Sequence, residues 1–256
     1  MTWDPQQYQR FADERARPFV DLLARVAATA PRHVVDLGCG PGTTTALLAE
    51  RWPDALVEGI DSSPEMIAAA ASGPRLSFRV GDVASWQPGA GIDVIVSNAT
   101  LQWVPAHRTL VARWAAALPA GGWLAFQVPG NFDAPSHTLL RAVASSPRWA
   151  GALDGVLRHA DAVATPAEYA ALLLDAGLEV DAWETTYLHV LSGPDPVLQW
   201  IRGTALRPVI DALPADEYAA FEAELAARLR DAYPSTGHHT LFPFRRIFAV
   251  AHRPPH

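Results

Sequence analysis

The sequence has no lysine. All 20 of its basic residues are arginine, set against 27 acidic ones, for a net charge of −7. A basic face that could neutralise phosphates is not expected, which argues against a nucleic-acid partner. In a chain this rich in alanine and proline, the arginine usage reads as compositional bias, so arginine abundance is not by itself a functional signal. Cysteine is almost absent too. Cys39 is the single one, which excludes an intrachain disulfide and suits a reducing compartment. No apolar run approaches the roughly 20 residues of a membrane helix. The first residues, Met1-Thr2-Trp3-Asp4-Pro5, lack the apolar stretch of a signal peptide, so a cytoplasmic location is expected. Internal repeats and low-complexity linkers are also missing, so 1–256 reads as a single domain.

What is present is an alternation. Half of the 256 residues are hydrophobic, enough for one large core with a modest cap. Phe19, Leu22, Leu23 and Val26 recur at helical spacing within 14–29. Strands are then expected at Val34–Leu37, Leu56–Ile60, Leu76–Val80, Ile92–Ser97 and Trp123–Val128, with helices between them at Thr43–Arg51, from Pro64, and at Ala106–Leu118. Crossover helices imply a parallel sheet covered on both faces. Thr165-Pro166-Ala167-Glu168 reads as a capping box with proline at the first helical position, opening a helix that ends at Gly177. Residues 178–190 and Leu241–His252 read as the last two strands. Two segments, about 129–165 and 191–240, break the pattern.

The chemistry is concentrated at Val34-Val35-Asp36-Leu37-Gly38-Cys39-Gly40-Pro41-Gly42. A buried strand ends in an acid, meets three alternate glycines and passes into a helix. Without Cβ atoms, such a turn lets a ligand lie against the backbone. Dinucleotide sites use the same device with G-x-G-x-x-G spacing; here the spacing is G-x-G-x-G, with Thr43 in the place of the third dinucleotide glycine. Asp61 ends the second strand about 20 residues on, as expected of an acid that holds a ribose diol. Asp82-Val83 follows the third. The competing reading of each acid is an N-cap or Asx turn, an equal alternative for Asp82 taken alone; three acid-ended strands in order make it less compelling.

The G-x-G-x-G spacing behind Asp36 resembles motif I of the class I S-adenosylmethionine-dependent methyltransferases. The resemblance extends to the trans-aconitate 2-methyltransferase family through Trp3-Asp4-Pro5, Tyr8, Phe11, Arg15-Ala16-Arg17-Pro18, Gly59-Ile60-Asp61-Ser62-Ser63-Pro64, Leu101-Gln102-Trp103, Pro135-Ser136-His137, Leu206-Arg207-Pro208 and Phe248-Ala249-Val250-Ala251. Thr43 stands where Asn is usual, and Val209 where Trp is often found. The resemblance implies a Rossmann-like class I methyltransferase sheet, mostly parallel and seven-stranded with the last strand antiparallel, carrying helical cap insertions at about 129–165 and 191–240; in that fold both leave from the carboxyl edge, where ligands bind, and cap the site. It implies S-adenosyl-L-methionine as cofactor and transfer of its methyl to one carboxylate of trans-aconitate. Asp36, Gly38, Gly40, Gly42, Asp61, Ser62, Met66, Asp82, Val83 and Asn98 would hold the cofactor, with Asp82 reaching the adenine amino group. Helix core is the competing reading of Met66.

A carboxylate acceptor has a pKa of roughly 4 and is ionised at pH 7, so alignment rather than a general base is expected. His107, His137 and His189 are therefore given no catalytic role. An anionic acceptor meeting an acidic protein calls for local arginine forks. Arg141, Arg148, Arg158, Arg202, Arg207, Arg245 and Arg246 lie in the irregular segments and last strand, and Arg202, Arg207 and Arg246 stand in or beside the family-like motifs. Gln102, Trp103 and Tyr8 are the further substrate-binding candidates, with core packing the competing reading of Trp103. His238-His239 has no third ligand at useful spacing, so no metal is expected. Other readings are a class I methyltransferase for a different carboxylate or a phenol, a non-catalytic cofactor-binding domain, and an NAD-dependent oxidoreductase.

Overall fold

In the computed structural model, residues 12–158 and 162–255 are described. They fall into two compact units: 12–129, 163–185 and 246–255 form one, and 130–158, Ala162 and 186–245 the other. The two irregular segments supply most of the second unit.

The first unit follows the expected alternation. Its elements run α1 (Ala12–Leu23), β1 (His33–Leu37), α2 (Thr45–Arg51), β2 (Leu56–Asp61), α3 (Pro64–Ala69), β3 (Leu76–Val80), β4 (Val94–Asn98), α4 (His107–Ala117), β5 (Trp123–Pro129) and α7 (Pro166–Asp175). β1 pairs in parallel with β2 and β4, β2 with β3, and β4 with β5. The strand order β3-β2-β1-β4-β5 reverses direction between β1 and β4, the switch point beside which open α/β sheets bind ligands. Because these strands are parallel, Asp36, Asp61 and Asn98 all arrive at one edge. β6 (Glu179–Ser192) and β8 (His239–His252) extend the sheet in the order β5-β8-β6. β8 runs antiparallel to β5, with Trp123 opposite His252 and Pro129 opposite Arg246.

β1, β4 and β5 are buried along nearly their whole length, which explains their continuous apolar sequence. Trp114, Phe126 and Tyr169 anchor a core between the sheet, α4 and α7. Phe19, Leu22, Leu23 and Val26, the stripe read from the sequence, are all buried, and α1 lies against β5.

The second unit contains α5 (Pro135–Ala144), α6 (Ala150–Leu153), α8 (Pro196–Arg202), α9 (Arg207–Ala212) and α10 (Ala215–Ala232). α10 buries Phe221, Leu225 and Leu229, one face at i, i+4, i+8. That face joins Trp149, Trp200, Leu206 and Phe242 in a separate core. A two-residue strand, β7 (Ser235–Thr236), pairs with β8 and brings the sheet to eight strands rather than the expected seven. Its brevity leaves no alternation to read. Among the described residues, no helix is long and apolar enough to cross a membrane.

The capping box of α7 forms as its spacing predicts: Thr165 Oγ1 accepts from Glu168 N at 3.2 Å and Glu168 Oε2 accepts from Thr165 N at 2.8 Å. Thr165→Ala should cost about 1 kcal/mol, measured by urea unfolding. No change in the midpoint would mean that the tertiary contacts of α7 alone fix its start.

Candidate active site

The turn after β1 is built by backbone hydrogen bonds that cross to β2. Gly38 N and Cys39 N both donate to Ile60 O, at 2.7 and 3.1 Å. Gly40 N donates to Asp61 Oδ2 at 2.9 Å. All three glycines lie in the left-handed region, with φ of 79°, 55° and 78° at Gly38, Gly40 and Gly42. Their reasons differ. A Cβ on Gly38 would run into the Thr100 side chain, whereas one on Gly40 would meet nothing within 4 Å. Gly38 permits a close internal approach; Gly40 leaves open space above the backbone, as a ligand requires.

Asp36 is buried, at 1% exposure. Thr45 Oγ1 donates to its Oδ2 at 2.7 Å, while Oδ1 has no partner among the described residues. Burial pushes its pKa up to about 7, with the nearby Asp61 charge adding and the Thr45 bond opposing. The Asp61 carboxylate accepts from Gly40 N and, through Oδ1, from Ser63 N at 2.9 Å, so it ties the glycine turn to the start of α3. Ser62 is exposed. Met66 and Val83 are buried, and Val83 packs with Ile60 and Trp86. Asp82 is exposed and its Oδ1 accepts from Ala84 N at 2.9 Å. That is the Asx turn read as the alternative for this residue, and it occupies one oxygen only.

Beside this turn lies the segment Asn98 to Trp103. Asn98 Oδ1 accepts from Gln127 Nε2 at 2.6 Å, and Ala99 N donates to Gln127 O at 3.0 Å. Ala99 is left-handed at φ 53°, which costs a non-glycine residue roughly 1–2 kcal/mol. Such strain persists where neighbours over-determine it: Gln127 holds one side, Gln102 Nε2 donates to Ala99 O, and Thr100 Oγ1 donates to Gly38 O at 3.3 Å. Gln102 is buried and Trp103 half-buried, both in a short 3-10 turn, Leu101–Trp103. Gln127 was not among the sequence-predicted site residues. Its signal was a lone amide in the apolar run Trp123–Val128, directly opposite Asn98 in the β4–β5 register.

His107 cannot serve as a base. Its Nδ1 lies 3.0 Å from the Val104 carbonyl, so it must carry the proton, and Nε2 accepts from the Tyr169 hydroxyl at 2.8 Å. Burial lowers its pKa, so the ring is a neutral tie between α4 and α7.

The family model described as "Methyltransferase domain" matches residues 8–182. The chain is similar to a trans-aconitate 2-methyltransferase of Rhodococcus jostii, 58% identical over 97% of this chain and 98% of the relative. It is similar to another of Streptomyces avermitilis, 55% identical over 98% of this chain and 97% of the relative. The chain belongs to the methyltransferase family. Among solved structures it resembles the YcgJ protein of Bacillus subtilis (TM-score 0.59, 18% identity, 94% of this chain and 100% of that one). Geranyl diphosphate C-methyltransferase of Streptomyces coelicolor, solved with S-adenosyl-L-homocysteine, is a second neighbour (TM-score 0.51, 14% identity, 96% and 80%). Both likenesses are of fold.

The methyl donor of this methyltransferase is S-adenosyl-L-methionine, and the first unit fits it. The open space at Gly40 accommodates a ligand against the backbone. The unpaired Asp36 Oδ1 suits a cationic group, because a buried carboxylate oxygen without a partner is costly until a donor reaches it.

The residues expected to bind substrate are placed differently from one another. Arg202 holds a carboxylate of the chain itself: Nε and Nη2 donate to Glu222 Oε1 and Oε2 at 2.8 and 2.7 Å. Its fork is spent inside the second unit, where Glu222 supplies the partner that sequence spacing did not reveal. Arg207 opens α9 in the same unit, and its buried Nε has no acceptor among the described residues. Arg246 is buried in β8 opposite Pro129. Tyr8 lies outside the described residues. Val209, the departure from the family pattern, is fully buried in the core of the second unit.

Gly40→Ala should leave the fold within about 1–2 kcal/mol of the parent, the cost of a left-handed alanine, while weakening S-adenosylmethionine binding at least tenfold. Gly38→Ala should instead fail in thermal melting, because Thr100 must be displaced. Titration calorimetry and melting on both variants check this; equal donor affinity in Gly40→Ala and the parent contradicts it.

Proposed function

We propose that the chain transfers the methyl of S-adenosylmethionine to one carboxylate of trans-aconitate, forming a monomethyl ester. The acceptor is carried by likeness to relatives called trans-aconitate 2-methyltransferase, 51–58% identical over 97–99% of this chain. The site adds a chemical argument: among the described residues, both nitrogens of His107, the histidine that follows Asn98–Trp103, are engaged, so it is not placed to take a proton. A carboxylate acceptor needs none, because at pH 7 it is already ionised.

When bound, S-adenosylmethionine supplies an electrophilic methyl on a positively charged sulfur, which leaves as a neutral thioether. The chain's own work is positional. Asp36, Asp61 and the glycine turn hold the donor. Asp82 has an oxygen to spare for the adenine amino group, and the buried Met66 and Val83 supply apolar wall. Gln127 fixes the Asn98 amide, and the tied Asn98–Trp103 segment sets one wall of the acceptor's approach, with Gln102 able to donate to a carboxylate oxygen. Alignment of the nucleophile at near-contact distance accounts for a large part of the acceleration in such reactions. Neutralisation of the sulfur charge during transfer makes exclusion of water favourable as well.

An acceptor with three carboxylates has to be drawn to a protein of net charge −7, so local cations must prevail over the long-range field. Arg207, whose Nε has no acceptor among the described residues, is the sequence-predicted arginine best suited to this; Arg246 is the second. Tyr8 stays a proposal of the family resemblance alone. The acidic balance accords with a small-molecule acceptor rather than nucleic acid, and the lone Cys39 with a cytoplasmic enzyme.

The test is a mass-spectrometric assay of the purified protein with S-adenosylmethionine and trans-aconitate, cis-aconitate, citrate or isocitrate. One methyl gained by trans-aconitate, matched by equal S-adenosylhomocysteine, is expected. Arg207→Ala should then raise the trans-aconitate KM roughly tenfold or more, as loss of a charge-assisted hydrogen bond implies, with donor affinity unchanged. Methylation of another panel member instead of trans-aconitate would overturn the acceptor.

A further inference from the structure

The second unit contains a small recess whose walls are cationic. Phe132 is one of its lining residues. His137 and Arg141 reach it from α5, one helical turn apart on the same face. Leu157 and Arg158 enter from the segment after α6, and Pro208 from the first turn of α9. The Arg141 Nη2 donates to Phe132 O at 2.6 Å. The Arg158 guanidinium carbon stands 5.5 Å from the Phe132 ring centre, and the His137 ring meets the same ring edge-to-face at 5.4 Å. None of the described lining residues is acidic.

The electrostatics follow from this packing. Burial lowers the Arg158 pKa to about 10, which leaves it charged at neutral pH. His137 is pushed down to about 4 by burial and by the charges of Arg141 and Arg158, so it is a neutral hydrogen-bonding group there. Two guanidinium groups and an imidazole line one recess, and charge-assisted hydrogen bonds from such groups are the strong ones for an anion. The cavity volume of about 20 Å³ admits one small polar group, the size of a carboxylate end. The guanidinium fork takes a planar carboxylate through two parallel hydrogen bonds, and a recess of this volume suits that flat end rather than a bulkier tetrahedral anion.

We propose that the recess formed by Phe132, His137, Arg141 and Arg158 is a carboxylate-binding site that recognises one carboxylate of a polycarboxylate ligand. It rests on the proposed function only for the choice of trans-aconitate as probe. Sequence reading named Arg141 and Arg158 among seven candidate arginines but preferred Arg202, Arg207 and Arg246. The i, i+4 spacing of His137 and Arg141 was the available signal.

The experiment is titration calorimetry of the full chain, with S-adenosylhomocysteine present, against trans-aconitate, citrate, acetate and inorganic phosphate. The parent should bind both tricarboxylates, bind acetate far more weakly, and show no displacement of trans-aconitate by phosphate at equal concentration. Arg158→Met should weaken tricarboxylate binding at least tenfold, and Arg158→Lys should recover part of it. Thermal melting confirms that each variant is folded. Addition of trans-aconitate should raise the His137 pKa followed by NMR, since a bound anion favours the imidazolium. Tricarboxylate affinity unchanged in Arg158→Met, no tricarboxylate binding by the parent, or phosphate competing equally would each overturn the proposal. If tricarboxylates bind through Arg158 but trans-aconitate gains no methyl, the acceptor reading fails and this site stands. If methyl transfer proceeds with an unchanged KM in Arg158→Met, this site fails and the acceptor reading stands.

Discussion

A carboxylate buried at the end of β1, with one oxygen bonded and the other unspent, is the constraint on which the first unit's site depends. Asp36 is held by Thr45 from the first turn of α2, and this fixes where the helix begins relative to the strand. Between them the chain has only Leu37 to Thr44 in which to turn, which demands the left-handed glycines. Asp61, one strand over, takes the amide of Gly40 and then that of Ser63, so the same turn is braced from β2. Removing water from Asp36 costs stability, and that cost is offset when a cation arrives. An unsatisfied buried group in a native fold asks for such a partner.

On the opposite side of the switch point the chain tolerates strain for a similar reason. Ala99 has a conformation better suited to glycine, yet four hydrogen bonds involving Gln127, Gln102 and Thr100 hold the segment around it. A site that works by alignment needs rigid walls more than reactive groups. His107, just beyond this segment, is spent on a carbonyl and a phenol, which agrees with chemistry in which no proton moves.

Much of this was legible in the sequence, for identifiable reasons. The glycine turn, the acid-ended strands and the Thr165 capping box are local: their spacing alone dictates their geometry, and each strand appeared within two or three residues of its expected bounds. The seventh pairing strand, Ser235–Thr236, is too short to carry a pattern. The arginines illustrate the limit more sharply. What a guanidinium faces depends on what lies across a tertiary contact, so Arg202 could not be separated from Arg158 by sequence: Glu222, twenty residues on, takes the fork of the first, and the ring of Phe132 lies beside the second. Gln127 was hidden because its partner sits on another strand, although a lone amide in an apolar run is a usable sign. Met66 and Val83 are buried, as the core reading allowed, and burial does not prevent either from walling a ligand.

The most direct test is a titration of the Asp36 carboxyl by carbon-13 NMR, with and without S-adenosylmethionine. In the free protein the group should titrate near 7, above its unfolded value of about 4. Stability from this group is then fully present below pH 4 and is lost as pH rises through 7. With the donor bound, the pKa should fall well below 7, because the cation favours the ionised form, and donor affinity should rise with pH between about 5 and 8. A carboxyl that titrates at the same pH in both states would contradict the account: Asp36 would then be a structural acid, and the donor's charge would be held elsewhere.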